Sequence, residues 1–473
     1  VGIQIVQKSD LSRKKHHSKI ALVLAGGALS GGAFKAGGLK AFNDYLVNRK
    51  VTDFDIYVGI SAGAFLAAPL AGGIPPEEIL KSIDGTSEHF SQLSPLEIYY
   101  PNWKEVVERP LKYLFNRLLY FPALLLDFCQ ALPNIGENLK AGALKFLKEP
   151  NYSNYEQMVK PLARALYSER SAPSILSALP TGFFDNAPLE KFIRENMKRN
   201  QLSNHFKVLK RMRGKDLYIC GMALDSGDRA IFGWDEKNDV TISDAVMAST
   251  AMPGFYKPAR IKGVDYIDGG VLKTANIDLA IEKGAELIIC YNPFRPLKNH
   301  VHVEFLREKN RYVTSDHRIS DNGIFGVFNQ VFRTLYHSRL KYAIQRYEED
   351  KNFKGDIILL EPKEDDVTFF QMNPFAFWTR ARAARSGFES VKNSIEEGFD
   401  EIRKVLASYG IDMTREVVEQ DEARIKRAAN DDQEIMEVLE GSGASKGRLR
   451  VIAGGQRPRG GAAPSYPLPT SSQ

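Results

Sequence analysis

Cysteine is nearly absent: Cys129, Cys220 and Cys290 are the only three in 473 residues, two of them inside the apolar runs LYICGMAL and LIICYNP. An odd, scattered set excludes a disulfide framework and a zinc site on spaced cysteines, and it reads as buried thiols in a reducing compartment. No apolar run reaches the roughly eighteen residues of a membrane-crossing helix. The opening VGIQIVQKSDLSRKKHHSK has charge where a secretory leader has its apolar core. The expectation is a cytoplasmic protein, at closest peripheral to a membrane, with Val1 leaving the true start open.

Histidine is scarce as well. His16 and His17 lie in a basic arm, His89 and His205 in polar helical contexts, and His300, His302, His317 and His337 in a charged segment. None ends a strand ahead of a glycine turn, so the base of a Ser-His-Asp triad has no well-placed candidate. Positive charge is present but lies in the wrong place for a nucleic-acid enzyme. Of the net +6, residues 1–20 supply five basic and one acidic side chain, residues 441–473 five basic and none acidic, leaving −3 for the body. The excess reads as two solvated tails with weak attraction to anionic lipid, and no nucleic-acid partner is expected.

What the sequence does have is DIYVGISAGAFLAA, a strand-like run that breaks at a glycine and resumes as an apolar helix. A five-residue G-x-S-x-G match carries little weight alone, but here Ile56, Tyr57 and Val58 precede it as a buried strand. Ala62, Ala64, Ala67 and Ala68 follow as a close-packing helix. A serine at such a sharp turn needs neighbours without side chains, which Gly59 and Gly63 supply. Ser61 is therefore the candidate nucleophile, with the first amides of the following helix aimed at any oxyanion beside it.

Upstream, IALVLAGGALSGGAFKAGGLKAF reads as strand, glycine-rich loop and helix, the helix carrying Phe34, Leu39 and Phe42 on its apolar face. The loop lacks the Gly-Lys-Ser/Thr ending of a phosphate loop and the G-x-G-x-x-G of a dinucleotide site. Lys35 is the only basic residue near it. Converging amides of Gly26, Gly27, Gly31 and Gly32 fit an oxyanion hole better. The base is an acid: GVDYIDGGVLKTANID puts Asp268 at a strand end, followed by Gly269 and Gly270. A partly desolvated carboxylate within reach can take a serine proton directly.

In this order, AGGALSGGAFKAGGL, GISAG, ASTAMPGFYKP and DGG resemble the motifs of the patatin-like phospholipase family, over roughly residues 20–295. The resemblance implies a lipid acyl hydrolase on a three-layer α/β/α sandwich with a mainly parallel sheet. It also implies a Ser61–Asp268 dyad, the amides of Gly27, Ala28, Gly31 and Gly32 as the oxyanion region, and no metal or other cofactor. In ASTAMPGFYKP, Pro253 and Gly254 should end the helix holding Ala245, Val246 and Ala248. One departure stands out: the family commonly continues to Asn-x-Pro, whereas Asn276 here is followed by Ile277 and Asp278.

The expected organisation is a basic arm at residues 1–18, a catalytic domain over 19–365, a helical extension over 366–440 and a low-complexity tail over 441–473. Within the domain, residues 86–180 form an apolar insertion; Tyr99, Tyr100, Trp103, Phe121, Leu124, Leu125 and Leu126 suggest an acyl-chain pocket or an interfacial surface, or else ordinary packing onto the sheet. GDIILLEP reads as an edge strand, and the chain from Pro374 to Gly410 as one long helix. The function expected is hydrolysis of phospholipid carboxylic esters through an acyl-enzyme, with transient membrane-surface contact. Acyltransfer, thioester or neutral-lipid hydrolysis at the same site is the alternative, and a catalytically dead lipid-binding protein the rival from another class.

Overall fold

The computed structural model describes residues 2–166, 174–306, 311–314, 317–367, 370, 377–429 and 431–441; of the expected tail, all but Gly441 lies outside these. Strands β1 (Ile3–Gln7) and β2 (Lys19–Leu24) precede helix α1 (Ala28–Tyr45), and β3 (Ile56–Gly59) turns through Ser61 into α2 (Ala62–Gly72), followed by α3 (Pro76–Asp84). The insertion holds α4 (Pro95–Ile98), α5 (Trp103–Lys148) and α6 (Tyr152–Leu166). Next come β4 (Gly182–Phe184), α7 (Ala187–Arg199), α8 (Phe206–Arg213), β5 (Asp216–Ala223), β6 (Arg229–Gly233), α9 (Ile242–Thr250), β7 (Gly254–Tyr256), β8 (Ala259–Ile261) and β9 (Val264–Asp268). The chain continues through α10 (Ile277–Glu282), β10 (Ala285–Tyr291), β11 (Val303–Leu306), β12 (Arg311–Thr314), α11 (Gly323–Glu349) and β13 (Asp356–Leu360). It finishes with α12 (Arg380–Glu397), α13 (Phe399–Ser408), α14 (Glu416–Ala428) and α15 (Asp432–Leu439).

The main sheet runs β1-β13-β10-β2-β3-β5-β9-β8, with β6 also on β5. From β13 to β5 all neighbours are parallel, and antiparallel strands flank this block at both ends. Alternation along β2 explains the layers: Ile20, Leu22 and Leu24 face one core with α1 and α2, while Ala21 and Val23 face another with α10 and α11. This is the mostly parallel α/β sandwich expected. Two local expectations are corrected. Strand β13 is internal, because residues of the supposed solvated arm form β1 and cap it; the Asp356 carboxylate accepts the Lys8 and Ser9 amides at 2.9 Å each and ties the arm down. The long carboxy-terminal helix is two helices, α12 and α13, broken at Gly398.

Helix α12 lies against α1 backbone to backbone. A Cβ on Gly37 would stand 1.9 Å from the Ala384 carbonyl oxygen, and one on Gly387 1.8 Å from that of Phe34. Phe388, Val391 and Ile395 fill the space beside this contact. One turn on, the buried Lys40 ammonium pairs with Asp44 and, at 2.8 Å, with Asp421 of α14. Gly387→Ala therefore has no room and is expected to destabilise the protein by about 3 kcal/mol or more, read as a lowered midpoint in urea. An unchanged midpoint would show that the helices do not approach this closely.

Candidate active site

Strands β2 and β3 end level, Leu24 opposite Gly59, with β5 running alongside. Strand β3 stops at Gly59, the chain reverses at Ser61 with φ 55 and ψ −130, and α2 begins at Ala62. A non-glycine residue adopts that backbone only under constraint, and the constraints are visible. A Cβ on Gly59 would lie 2.5 Å from Ala64 Cα in the helix, and one on Gly63 2.2 Å from the Leu24 carbonyl oxygen at the end of β2. The Ser61 amide donates to Ser249 Oγ at 2.9 Å, and that hydroxyl donates to the Cys220 carbonyl of β5 at 2.6 Å.

The other strand end brings Asp268. Its amide donates to the Ala251 carbonyl at 2.9 Å, and its Oδ1 accepts the Gly270 amide at 2.8 Å. The end of α9 thus holds both residues, Ser61 through Ser249 and Asp268 through Ala251. As expected, that helix stops before Pro253 and Gly254. The Ser61 side chain lies near enough to the Asp268 carboxylate to lower its pKa, and the two residues are buried to 8% and 7% exposure. Burial pushes the Asp268 carboxyl up to about 6, against the downward pull of Ser61, Gly270 and the Lys35 charge. Of the histidines, His337 faces the Glu361 carboxylate at 3.1 Å.

The glycine loop is shorter than the sequence suggests. Helix α1 starts at Ala28, so Gly31 and Gly32 lie a full turn inside it, where their amides serve the helix ladder rather than an anion. Gly26, Gly27 and the first-turn amide of Ala28 remain. Among the described residues neither the Gly26 nor the Gly27 amide meets an acceptor. Gly26 stands against the serine, since a Cβ there would be 3.4 Å from Ser61 Cβ.

Lys35, which sequence reasoning passed over, explains the loop's orientation. Its buried ammonium donates to the carbonyls of Ala25 and Gly26, the latter at 3.0 Å. In a planar trans peptide the N–H points opposite to the C=O, so the Gly26 and Gly27 amides face away from the lysine. Burial lowers the Lys35 ammonium to about 7, while the Asp268 carboxylate pulls it back up. The only available signal was a lysine at an apolar helix position, one turn into α1. Ser249 gave less, being one hydroxyl within ASTAMPG.

Where the family resemblance leads to a proline, Asp278 instead sits in the first turn of α10 and accepts from Arg229 at 2.7 Å. Arg229 also donates to the buried Asn276 at 3.0 Å, closing the turn beyond Asp268 with ion pairs. In the insertion, Tyr99 packs on Phe184 and Phe255 with ring centroids 5.8 and 6.4 Å away, whereas Tyr100 and Trp103 are exposed. The side chains of Phe121, Leu124, Leu125, Leu126 and Cys129 lie outside those described. Cys220 and Cys290 are buried free thiols. Among the described residues no His, Cys, Asp and Glu group could hold a metal ion, and no helix is long and apolar enough to cross a membrane.

A mostly parallel sandwich with a strained strand-to-helix serine turn at the strand ends defines an α/β protein of nucleophile-elbow design. The chain belongs to the patatin-like phospholipase family, whose model matches residues 22–281. It is accordingly a lipid hydrolase by class. Among solved structures it is similar to VipD from Legionella pneumophila, at 14% identity and a TM-score of 0.35, covering 92% of this chain and 81% of that one. Full-length ExoU from Pseudomonas aeruginosa, solved in complex with SpcU, gives 14% identity and a TM-score of 0.31, covering 92% of this chain and 61% of that one. Both scores are low, and membership rests on the matched family model. Comparison with curated proteins gave no match.

Because the Lys35 charge pulls the Asp268 carboxyl down, Lys35→Met is expected to raise it further. Carboxyl carbon NMR across a pH series reads this directly, and an unmoved titration would remove the lysine from the site's electrostatics.

Proposed function

We propose that this protein hydrolyses carboxylic esters of glycerophospholipids through a Ser61–Asp268 dyad. The observation that carries the proposal is the strained Ser61 beside a buried carboxyl raised to about 6. A carboxylate of ordinary pKa is a weak base; one raised towards neutrality remains ionised at physiological pH and accepts a proton more readily.

In the first half-reaction Ser61 Oγ bonds to the ester carbonyl carbon while its proton passes to Asp268. The negative charge gathers on the carbonyl oxygen, facing the Gly26 and Gly27 amides and the Ala62 amide, the first of α2 and without a partner inside the helix. The C–O bond to the alcohol breaks, and Asp268 returns the proton to the leaving oxygen. In the second half-reaction water gives its proton to Asp268 and attacks the acyl-serine. The bond between the acyl carbon and Ser61 Oγ breaks, Asp268 returns the proton to Oγ, and the fatty acid leaves. Lys35 holds the amides in place throughout, touching only the backbone behind them. The exposed stripe Trp103, Val107, Leu111, Leu114 and Leu118 on α5 supports transient contact with a lipid surface.

Ser61→Ala is expected to abolish release of fatty acid from phospholipid vesicles while leaving the unfolding midpoint unchanged, and to prevent labelling by a fluorophosphonate. Folded variant protein that kept more than a few percent of turnover would end the serine mechanism. Asp268→Asn keeps the shape but cannot take the proton, and should cost about a thousandfold in kcat/KM.

The pH dependence has a definite sign. Below about 6 the Asp268 carboxyl is protonated and cannot act as base, so kcat/KM should rise with pH through about 6 and then level. An acid limb that stayed near the ordinary carboxyl range would mean that another group is the base.

A further inference from the structure

Helix α11, between β12 and β13, carries an apolar face on its outside. Ile324, Val327, Phe328, Val331, Phe332 and Leu335 are 40–59% exposed, at the three- and four-residue spacing that lines them up along one stripe. Among the exposed residues of this stretch Thr334 is the polar one. Its one charge, Arg333, is buried and donates to the Pro293 and Arg295 carbonyls at 3.3 Å each. Apolar side chains exposed singly need no explanation, but a continuous stripe does.

The stripe is fastened to the site. Thr274 Oγ1 donates to the Tyr336 carbonyl at 2.8 Å and Arg339 Nη1 to the Val271 carbonyl at 2.7 Å, so α11 is held twice by the segment that follows Asp268. Leu272, in that segment, is itself exposed. A row of rings leads outward from the glycine loop: Phe294, which stands over Gly26, packs on Tyr336 with centroids 4.8 Å apart, Tyr336 on Phe332 at 6.2 Å, and Phe332 on Phe328 at 6.1 Å. Burial, with the Asp268 charge adding to it, raises the Tyr336 hydroxyl to about 12. The row thus starts half-buried at the loop beside Ser61 and ends exposed on the stripe.

Beyond the stripe the same helix turns basic. Arg339, Lys341 and Arg346 are all exposed, and no acid occurs among them. Asp321 lies before the helix and accepts the Arg318 amide at 2.7 Å; Glu348 and Glu349 follow about 20 Å of helix rise beyond Leu335. An apolar face bordered by cations matches a layered partner, hydrocarbon with anionic head groups above it. A protein seated on the stripe would instead stand across the approach to Ser61. We propose that the face of α11 from Ile324 to Leu335 docks into an anionic phospholipid surface, with Lys341 and Arg346 at the head groups and the mouth of the Ser61–Asp268 site held against the lipid. The proposal rests on the lipid-hydrolase reading and gives it a surface and an orientation.

The test is co-sedimentation of the full chain, on a Ser61→Ala background, with vesicles of phosphatidylcholine alone or mixed with phosphatidylserine. The pair Ile324→Ser and Phe328→Ser should weaken partition into the mixed vesicles by at least about ten-fold. The pair Lys341→Gln and Arg346→Gln should cost about ten-fold on the mixed vesicles and little on phosphatidylcholine alone. With Ser61 restored, the serine pair should lose turnover on vesicles while keeping kcat/KM for soluble 4-nitrophenyl butanoate. Folded serine-pair protein that partitions like its parent would overturn the proposal, as would loss of partition only when Leu111 and Leu118 of α5 are changed to serine. Unchanged partition accompanied by a shift from dimer to monomer would assign the stripe to a second copy of the chain instead. If the serine pair does not fold, unaltered binding of the glutamine pair to the mixed vesicles overturns the proposal alone. Wild-type protein that cleaves no ester, while its vesicle partition still depends on Ile324 and Phe328, would sink the catalytic reading and leave the docking surface standing.

Discussion

The backbone of Ser61 is the constraint on which the site depends. A non-glycine residue at φ 55 and ψ −130 costs on the order of 1–3 kcal/mol and persists only where its surroundings over-determine it. Here the surroundings come from three strands at once. The end of β2 presses on Gly63, the helix start presses on Gly59, and β5 reaches Ser61 through the Ser249 hydroxyl. These contacts require the ends of β2 and β3 to lie beside Ile219 and Cys220 of β5. A parallel sheet with helices returning over its faces provides that, and in such sheets sites form at the carboxyl ends of strands. The fold therefore supplies the position, and the glycines supply the clearance.

The second organising feature is electrostatic. Asp268 and Lys35 are buried close enough to perturb each other, and burial moves them toward one another on the pH scale, the acid up to about 6 and the ammonium down to about 7. Each charge is expensive to desolvate, and each is partly compensated, Lys35 by two carbonyls and Asp268 by a hydroxyl and an amide. The lysine's carbonyl contacts also fix which way the loop amides point. One buried cation thus tunes the acid and aims the opposite face of the loop, linking the two halves of the site without touching Ser61.

Much of this was legible in the sequence because it depends on local chain geometry. Gly59, Gly63 and the strand-like run before Ser61 announce a sharp turn, and Asp268-Gly269-Gly270 announces a strand end with an acid on it. The burial of β2 on both faces follows from its unbroken apolar composition. What escaped notice depends on the third dimension. Ser249 becomes a ligand of the Ser61 amide only once α9 packs beside β5. Lys35 looks like a surface lysine until α1 is laid on the sheet, and the extent of the glycine loop depended on where α1 starts, which four glycines in the window obscure. β1 was missed because charged neighbours hid a short apolar IQIVQ, and the break at Gly398 because helical spacing continues through it.

The residues beyond the family match are part of the same machine. The match ends at residue 281, yet β10 follows it and pairs with β2, and the Tyr291 carbonyl accepts the Ala25 amide immediately before the glycine loop. Phe294 closes over that loop, within 3.0 Å of where a Cβ on Gly26 would stand. On the opposite face, α12 grips α1 backbone to backbone, and α14 reaches the same helix through Asp421 and Lys40. Since α1 begins at the loop and carries Lys35, any slackening of that grip would be transmitted to the amides beside Ser61. The carboxy-terminal helices are far from the serine in sequence, but through α1 they bear on how rigidly the Gly26 and Gly27 amides are held beside it.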